Sequence, residues 1–453
     1  MNHRSRIAAI FTLAYPIVIA QLGTILQGWA DTIMVGQYGT PELSAAGFVN
    51  NIFNLCIFFL LGISYATTPV VGTLFSQGKY RKVLSTFRES NVVNLLVGLF
   101  VVLLLLVLYL NIDRLGQPVE LLPLIRPYFI ALLLSLPFLS LFNSMKQFSD
   151  ALGDTRTPMW IMIGGNVVNI ALNYLLIFTF DMGLLGAGLA TLIARALMPL
   201  AMWLALKYGS LFRSLRAQVP SHLTSPTSHF LPLNFQLLKL GLPISIQLCL
   251  EASAFNISAI FMGWIGASAL AAHQIMSTVS SLAFMVYYGI GAAAAIRIAY
   301  FLGQNEWDEV RKTALTALGM SIASGILVMS ILCLFGTSIA HLFTTSSEVA
   351  ILFLSFYPPF ICYQFGDCLQ IIYANALRGI KDVRAMMLYA FIAYILVSLP
   401  LAYIFAFPLH MGAVGVWWSF PFGLTTAGLC YYLQFRKTCA RSKASQPSQN
   451  GDV

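Results

Sequence analysis

Long stretches with no charged residue alternate with short polar ones along this chain. The stretch "NVVNLLVGLFVVLLLLVLYL" (91–110) is apolar at nearly every position and leaves no face for water. As a helix, such a run is long enough to cross a hydrocarbon core about 30 Å thick. Reading every run in this way predicts twelve spans, near 8–36, 44–76, 90–110, 121–146, 158–180, 184–206, 237–264, 270–301, 312–335, 349–377, 384–407 and 412–435. The start, "MNHRSRIAAIFTLAYPIVIAQLG", mimics a signal peptide in its basic flank and apolar run. It lacks an A-x-A-like cleavage site, and its helical pattern runs on past residue 30, so it is read as the first span.

The pattern also divides the chain. The stretch 208–236, with Pro220, Pro226 and Pro232, is the one long polar connection before the tail and reads as a linker. The expected organisation is a first lobe over 1–207, a linker over 208–236, a second lobe over 237–436 and a polar, disordered tail over 437–453. Sliding the chain by 227 residues without a gap pairs Leu13 with Leu240, Pro16 with Pro243, Gly36 with Gly263, Gly62 with Gly289 and Gln77 with Gln304. Weak internal symmetry of this kind is a feature of transporters built from repeats. Each half holds an even number of spans, so the repeats share one orientation. The expected fold class is all-α and integral to the membrane, with twelve transmembrane helices in two pseudo-symmetric six-helix lobes.

Composition agrees with the pattern. Hydrophobic residues make up 58% of 453 and charged residues 9%, against roughly 25% charged in soluble domains. The seven cysteines are odd in number, show no CxxC pair, and read as small packing residues. With twelve spans, both termini and every second loop share one side of the membrane. All of the 25 basic residues except Arg114, Arg126 and Arg195 fall on that side, which the positive-inside tendency makes cytoplasmic. The formal net charge of +9 is then a matter of topology and calls for no nucleic-acid partner.

Most acids lie in loops, but Asp31, Glu251 and Asp367 lie inside spans. A charge at the bilayer centre costs roughly 2.5–3.5 kcal/mol on insertion scales. Each acid sits on a polar stripe at helical spacing: Thr24, Gln27 and Asp31; Gln247, Glu251 and Ser258; Tyr363, Asp367 and Gln370. Such stripes face a wet cavity or the bundle interior. Under the 227-residue shift Glu251 falls on Thr24 and Asp31 on Ser258, so the acids are not a scaffold feature copied into both halves. The competing reading, neutral acids that tie helices together, explains one such residue more easily than three. Asn166, Asn169 and Asn173 form a further stripe, which by itself reads as helix packing.

Four segments resemble the multidrug and toxic compound extrusion (MATE) family: "LAYPIVIAQLGTILQGWADTIMVG" (13–36), "FSDALGDTRTPM" (148–159), "LEASAFNISAIFMGWIGASALAAHQI" (250–275) and "YQFGDCLQIIYANALRGIKD" (363–382). The last two are similar to the NorM-type branch, and the resemblance runs from residue 8 to about 436. "DALGD" departs from it where many relatives carry an Arg-Gly pair, which the second half keeps as Arg378 and Gly379. The resemblance implies two six-helix lobes and export of amphipathic, often cationic, compounds in exchange for inward Na⁺ or H⁺. It assigns Glu251, Asp367 and Tyr363 to a cation site in the second lobe. Asp31, Asn169, Asn173 and Thr191 are assigned to a polar site in the first.

Carboxylate, hydroxyl and amide oxygens suit a hard cation such as Na⁺, and a buried carboxylate can instead carry a proton. Gln27 and Gln247, one turn from the acids, are expected to line the substrate cavity. Met262, Phe284, Met285, Tyr287 and Tyr288 offer a soft surface for a drug or ordinary core; spacing does not separate the two. No enzyme, resident cofactor or bound metal is expected beyond the coupling ion. The expected partners are a small-molecule drug and the lipid bilayer, in a plasma (inner) membrane, with a monomer as the default. Two other readings stand beside this one. A lipid-linked saccharide flippase would line its cavity with several basic groups, whereas only Arg195 lies deep in a span. A prenyl-transferase-like enzyme would cluster acids for Mg²⁺-diphosphate, with "DALGD" as the nearest candidate, although beside Arg156 it reads as a solvated turn. His273 is expected to be a hydrogen-bonded span histidine.

Overall fold

Each of the twelve apolar runs is a helix. The computed structural model describes residues 2–218 and 235–444. The helices are α1 (His3–Tyr38), α2 (Thr40–Ser76), α3 (Tyr80–Leu110), α4 (Val119–Ala151), α5 (Arg156–Thr179) and α6 (Gly183–Tyr208) in the first half. In the second half they are α7 (Phe235–Ile265), α8 (Ala267–Gly303), α9 (Trp307–Phe343), α10 (Ser347–Ser355 with Tyr357–Gly379), α11 (Arg384–Ala406) and α12 (Gly412–Ala444). Most outrun the predicted span by several residues. Hydropathy reports only the stretch that meets hydrocarbon, whereas a helix satisfies its own backbone in water and in lipid alike. For the same reason α12 continues through 437–444, where an unstructured tail was expected. Within the expected linker Ser210–Ala217 form a short helix; the rest of the linker from 219 to 234, and the tail from 445, lie outside the described residues.

Among the described residues ten helices are long and apolar enough to cross a membrane, eleven if the bent α10 pair is one span. The remaining one, α12, is long enough, but Trp417, Trp418, Thr425 and Thr426 dilute its apolar centre. The two parts of α10 meet at 46°. Pro358 and Pro359 open the second part, where their missing N–H groups cannot continue the hydrogen-bond ladder of the first. Two helices carry π-helical turns, Leu175–Thr179 in α5 and Phe391–Ser398 in α11. Each is thus in the fifth helix of its half, and such turns are frequent at functional sites.

The chain forms two compact units, Ile19–Ser245 on the one hand and Met1–Val18 with Ile246–Val453 on the other. The first turns of α1 therefore belong to the carboxy-terminal unit, and the first turns of α7 to the amino-terminal one. Paired glycines seat them. A Cβ on Gly62 of α2 would stand 2.3 Å from the Cα of Ser245, and one on Gly289 of α8 would stand 2.4 Å from Cγ2 of Val18. Gly62 and Gly289 are repeat mates under the 227-residue shift, and so are Val18 and Ser245. The same close approach is thus built once in each unit. In the amino-terminal unit a core of α2, α4 and α6 side chains includes Phe53 and Phe129, packed edge to face at 4.9 Å.

Candidate functional site

Each unit gathers polar side chains around the acids of its spans. In the amino-terminal unit α1 presents Gln27 and Asp31 four residues apart, on one face. Gln27 Nε2 donates to Asp31 Oδ2 at 3.0 Å and to Asn169 Oδ1 at 2.9 Å. Asn173 Nδ2 donates to the other oxygen, Asp31 Oδ1, and also to Asn169 Oδ1 at 3.3 Å. Asn169 Nδ2 in turn points at Thr191 Oγ1 of α6, 3.4 Å away. Asp31, Asn169, Asn173 and Thr191 thus meet in one network, with Gln27 at its centre. Asn173 stands two residues before the π-helical turn of α5. Asn166, on the same stripe, does not join: its Nδ2 is buried without a partner. Thr24 is exposed and bonds back to Ala20 O of its own helix at 3.2 Å.

Beside this network opens a cavity of ≈ 210 Å³ between α1, α2, α4 and α6. Asp31 and Arg195 both line it, together with Tyr128, Asn50 and apolar side chains such as Phe53 and Leu132. Arg195 Nη1 donates to Ser135 Oγ at 2.9 Å, and Tyr128 Oη donates to Asn50 Oδ1 at 3.1 Å. The sequence singled out Arg195 only as a basic residue inside a span. Tyr128 and Asn50 carried no pattern that marks them.

In the carboxy-terminal unit α7, α10 and α11 build the second cluster. Gln247 Nε2 donates to Glu251 Oε2 at 2.8 Å, and Gln370 Nε2 reaches the same oxygen at 3.2 Å. Behind Gln247 stands Arg378, whose Nη2 donates to Gln247 Oε1 at 2.7 Å. Asp367, one turn before Gln370, is 1% exposed and lies within electrostatic reach of Glu251. Its Oδ2 is buried with no hydrogen-bond partner among the described residues. Tyr363 accepts from Ser280 Oγ at 3.1 Å, stacks on Phe360 with ring centroids 5.5 Å apart, and lies within reach of both carboxylates. Tyr394, on the π-helical turn of α11, stands near Glu251. Sequence reading missed it because the one polar neighbour of this tyrosine at helical spacing within "FIAYILVS" is Ser398, which makes no stripe with an acid. None of the described ion pairs involves Asp31, Glu251 or Asp367.

The other singled-out residues lie as follows. Met262 and Tyr287 are wholly buried, Tyr287 donating to Gln364 Oε1 at 2.7 Å; Phe284, Met285 and Tyr288 are half-buried. Ser258 turns back onto Ala254 O of its own helix. His273 is buried against Trp417, with Nε2 3.5 Å from Ser277 Oγ. The turn "DALGD" corrects an expectation. Asp150 is not solvated but 3% exposed, and it pairs with Lys146 at 2.7 Å. Asp154 accepts from the Thr157 N–H at the start of α5. A buried carboxylate held by its own lysine is not free to hold Mg²⁺.

Twelve helices among the described residues, an internal repeat and acids placed within apolar spans mark a multi-pass membrane transporter. The MatE family profile matches residues 16–175 and again 243–404, so the second match begins at Pro243, the repeat mate of Pro16. The chain belongs to the MatE family. It is 32% identical over 446 residues to the probable multidrug resistance protein NorM of Bradyrhizobium diazoefficiens, covering 95% of this chain and 93% of that one. It is 28% identical over 436 residues to the multidrug resistance protein NorM of Aliivibrio fischeri, covering 94% of each. In fold it is similar to the Vibrio cholerae MATE transporter VcmN, with a TM-score of 0.85 at 20% identity over 97% of this chain and 98% of that one. It is also similar to the eukaryotic MATE transporter AtDTX14, with a TM-score of 0.84 at 19% identity over 98% and 99% of the two chains.

Proposed function

We propose that this chain exports amphipathic, cationic organic compounds across the plasma (inner) membrane, with both termini cytoplasmic, in exchange for inward Na⁺ or H⁺. The export role follows the multidrug-resistance names of its relatives in B. diazoefficiens and A. fischeri. One observation carries the coupling: Glu251 and Asp367 lie within electrostatic reach of each other, and Asp367 Oδ2 is buried with no hydrogen-bond partner among the described residues. Two neighbouring carboxylates away from water are costly unless a cation or a proton joins them. Tyr363 supplies a hydroxyl oxygen beside them, and Gln247 and Gln370 hold Glu251 in place with amide N–H groups. In this reading Asp31, Asn169, Asn173 and Thr191 form a second polar site, where ion and substrate compete for the one carboxylate.

Moving one positive charge inward down a 100 mV potential releases about 2.3 kcal/mol. That energy is coupled to export only if the ion binds one conformational state more tightly than the other, and the proposed ion favours the outward-facing state. Phe284, Met285 and Tyr288, being half-buried, are the members of the soft set still open to a ligand. The test is ethidium transport by inverted membrane vesicles under separately imposed Na⁺ and H⁺ gradients. Transport driven by either gradient supports the antiporter and identifies the ion. Transport driven by neither overturns the reading.

A further inference from the structure

The cavity of the amino-terminal unit contains both signs of charge, and the two do not pair. Asp31 enters from α1 and Arg195 from α6, both lining the same ≈ 210 Å³ space. In an apolar interior, an arginine and an aspartate placed to stabilise the fold would be expected to meet directly, since a bidentate pair gives the strongest bond available to either. Here neutral groups hold each one: Gln27 and Asn173 for Asp31, Ser135 for Arg195. A guanidinium carries five N–H donors in a fixed fork and is always charged. The bond to Ser135 Oγ uses one of them. No second hydrogen bond of this guanidinium is formed among the described residues, and the side chain lines the cavity. Thr191 lies one turn before Arg195, on the same face of α6.

The rest of the cavity suits an amphipath. Phe53, Val35 and Leu132 give it apolar walls, and its rim at Gly28, Thr32 and Asn54 is exposed. Its volume falls below the roughly 300–1,000 Å³ that encloses a drug-sized ligand, so it accepts one end of a molecule rather than the whole. A purely cationic end would leave Arg195 facing a like charge, and a purely anionic end would leave Asp31 so. A group bearing both an amine and a carboxylate satisfies both residues.

We propose that Arg195 is a specificity-determining residue that receives the carboxylate of a zwitterionic amphipath whose cationic end lies at Asp31. This inference rests on the export reading given above and narrows its substrate class. Rhodamine 110 and rhodamine 123 test it, because they differ only in that the second is the methyl ester of the first's carboxylic acid. In vesicles carrying the intact protein, the acid should show a lower KM than the ester. Arg195→Gln should raise the acid-to-ester KM ratio by about tenfold, as expected for loss of one charge-assisted hydrogen bond, and Arg195→Lys should restore part of it. A wild-type protein that handles the ester as well as the acid overturns the inference, whether or not the variants fold. So does an Arg195→Gln variant that slows both probes equally, since that is the mark of a structural arginine. Export of neither rhodamine nor ethidium by the wild type overturns the export reading, and this inference with it.

Discussion

Gln247 donates its amide hydrogen to Glu251 one helical turn later, at 2.8 Å, and that glutamine is itself held by Arg378 at 2.7 Å. The guanidinium therefore fixes the glutamine that orients the carboxylate, and its charge also reaches Glu251. Gln27 and Asp31 repeat the glutamine–acid pair on α1 at 3.0 Å, but there the glutamine donates onward to Asn169 instead of accepting from an arginine. An acid positioned but not neutralised by its neighbours is ready for a visiting cation.

Removing either carboxylate of the carboxy-terminal cluster should uncouple transport. Glu251→Gln and Asp367→Asn are each expected to cut ethidium efflux ten- to a hundredfold, in line with the roughly 1.5–3 kcal/mol of a bond to a charged group. Efflux assays in cells lacking other pumps, with membrane protein levels matched, read this directly. Full efflux in both variants would remove the basis for the coupling site.

The two clusters should be separable. Asp31→Asn keeps an oxygen and a near-identical shape, so the network of Gln27, Asn169 and Asn173 can re-form around it. Export should fall, while calorimetric Na⁺ binding at Glu251 and Asp367 persists. Loss of that binding in Asp31→Asn would mean that the clusters act as one.

Arg378→Gln should weaken ion binding by about tenfold, less than Glu251→Gln does, because it releases Gln247 without removing an ion ligand. The half-saturating ion concentration in vesicles measures this. An effect equal to that of Glu251→Gln would place Arg378 at the ion itself.

Gly62→Ala should destabilise the protein by about 1–3 kcal/mol through overpacking, since its new methyl would meet backbone atoms of Ser245 that have no room to yield. Gly319→Ala, with nothing within 4 Å of the added carbon, is the control and should be neutral or stabilising by about 0.5–1 kcal/mol. Thermal unfolding in detergent compares the two. Equal midpoints would mean that α7 and α2 have slack between them.

All twelve helices were legible because a chain that crosses a bilayer must write each crossing as an apolar run. The three span acids were legible for the converse reason, as charges where charge is expensive. Geometry within the clusters was less so. Gln370 lay on a visible stripe, but Tyr394 reaches Glu251 from a π-helical turn that breaks the 3.6-residue period on which stripes depend. Asp150 looked like a loop acid, because nothing in "DALGD" reveals that Lys146, one turn earlier on α4, pulls it into the interior. The exchange of first turns between units is likewise absent from hydropathy, since Val18 and Ser245 would be apolar-compatible in either place.

That exchange bears on how the polypeptide is made. When the ribosome has finished α6, the amino-terminal unit still lacks the turns around Gly241 and Ser245 that press on Ile63 and Gly62. The groove at those glycines stays unfilled until the chain beyond the 208–236 connection has been synthesised. Meanwhile residues 1–18 wait for α8 to arrive. Neither half can finish maturing alone, so two fragments cut within 219–234 should be degraded when expressed singly and accumulate when expressed together.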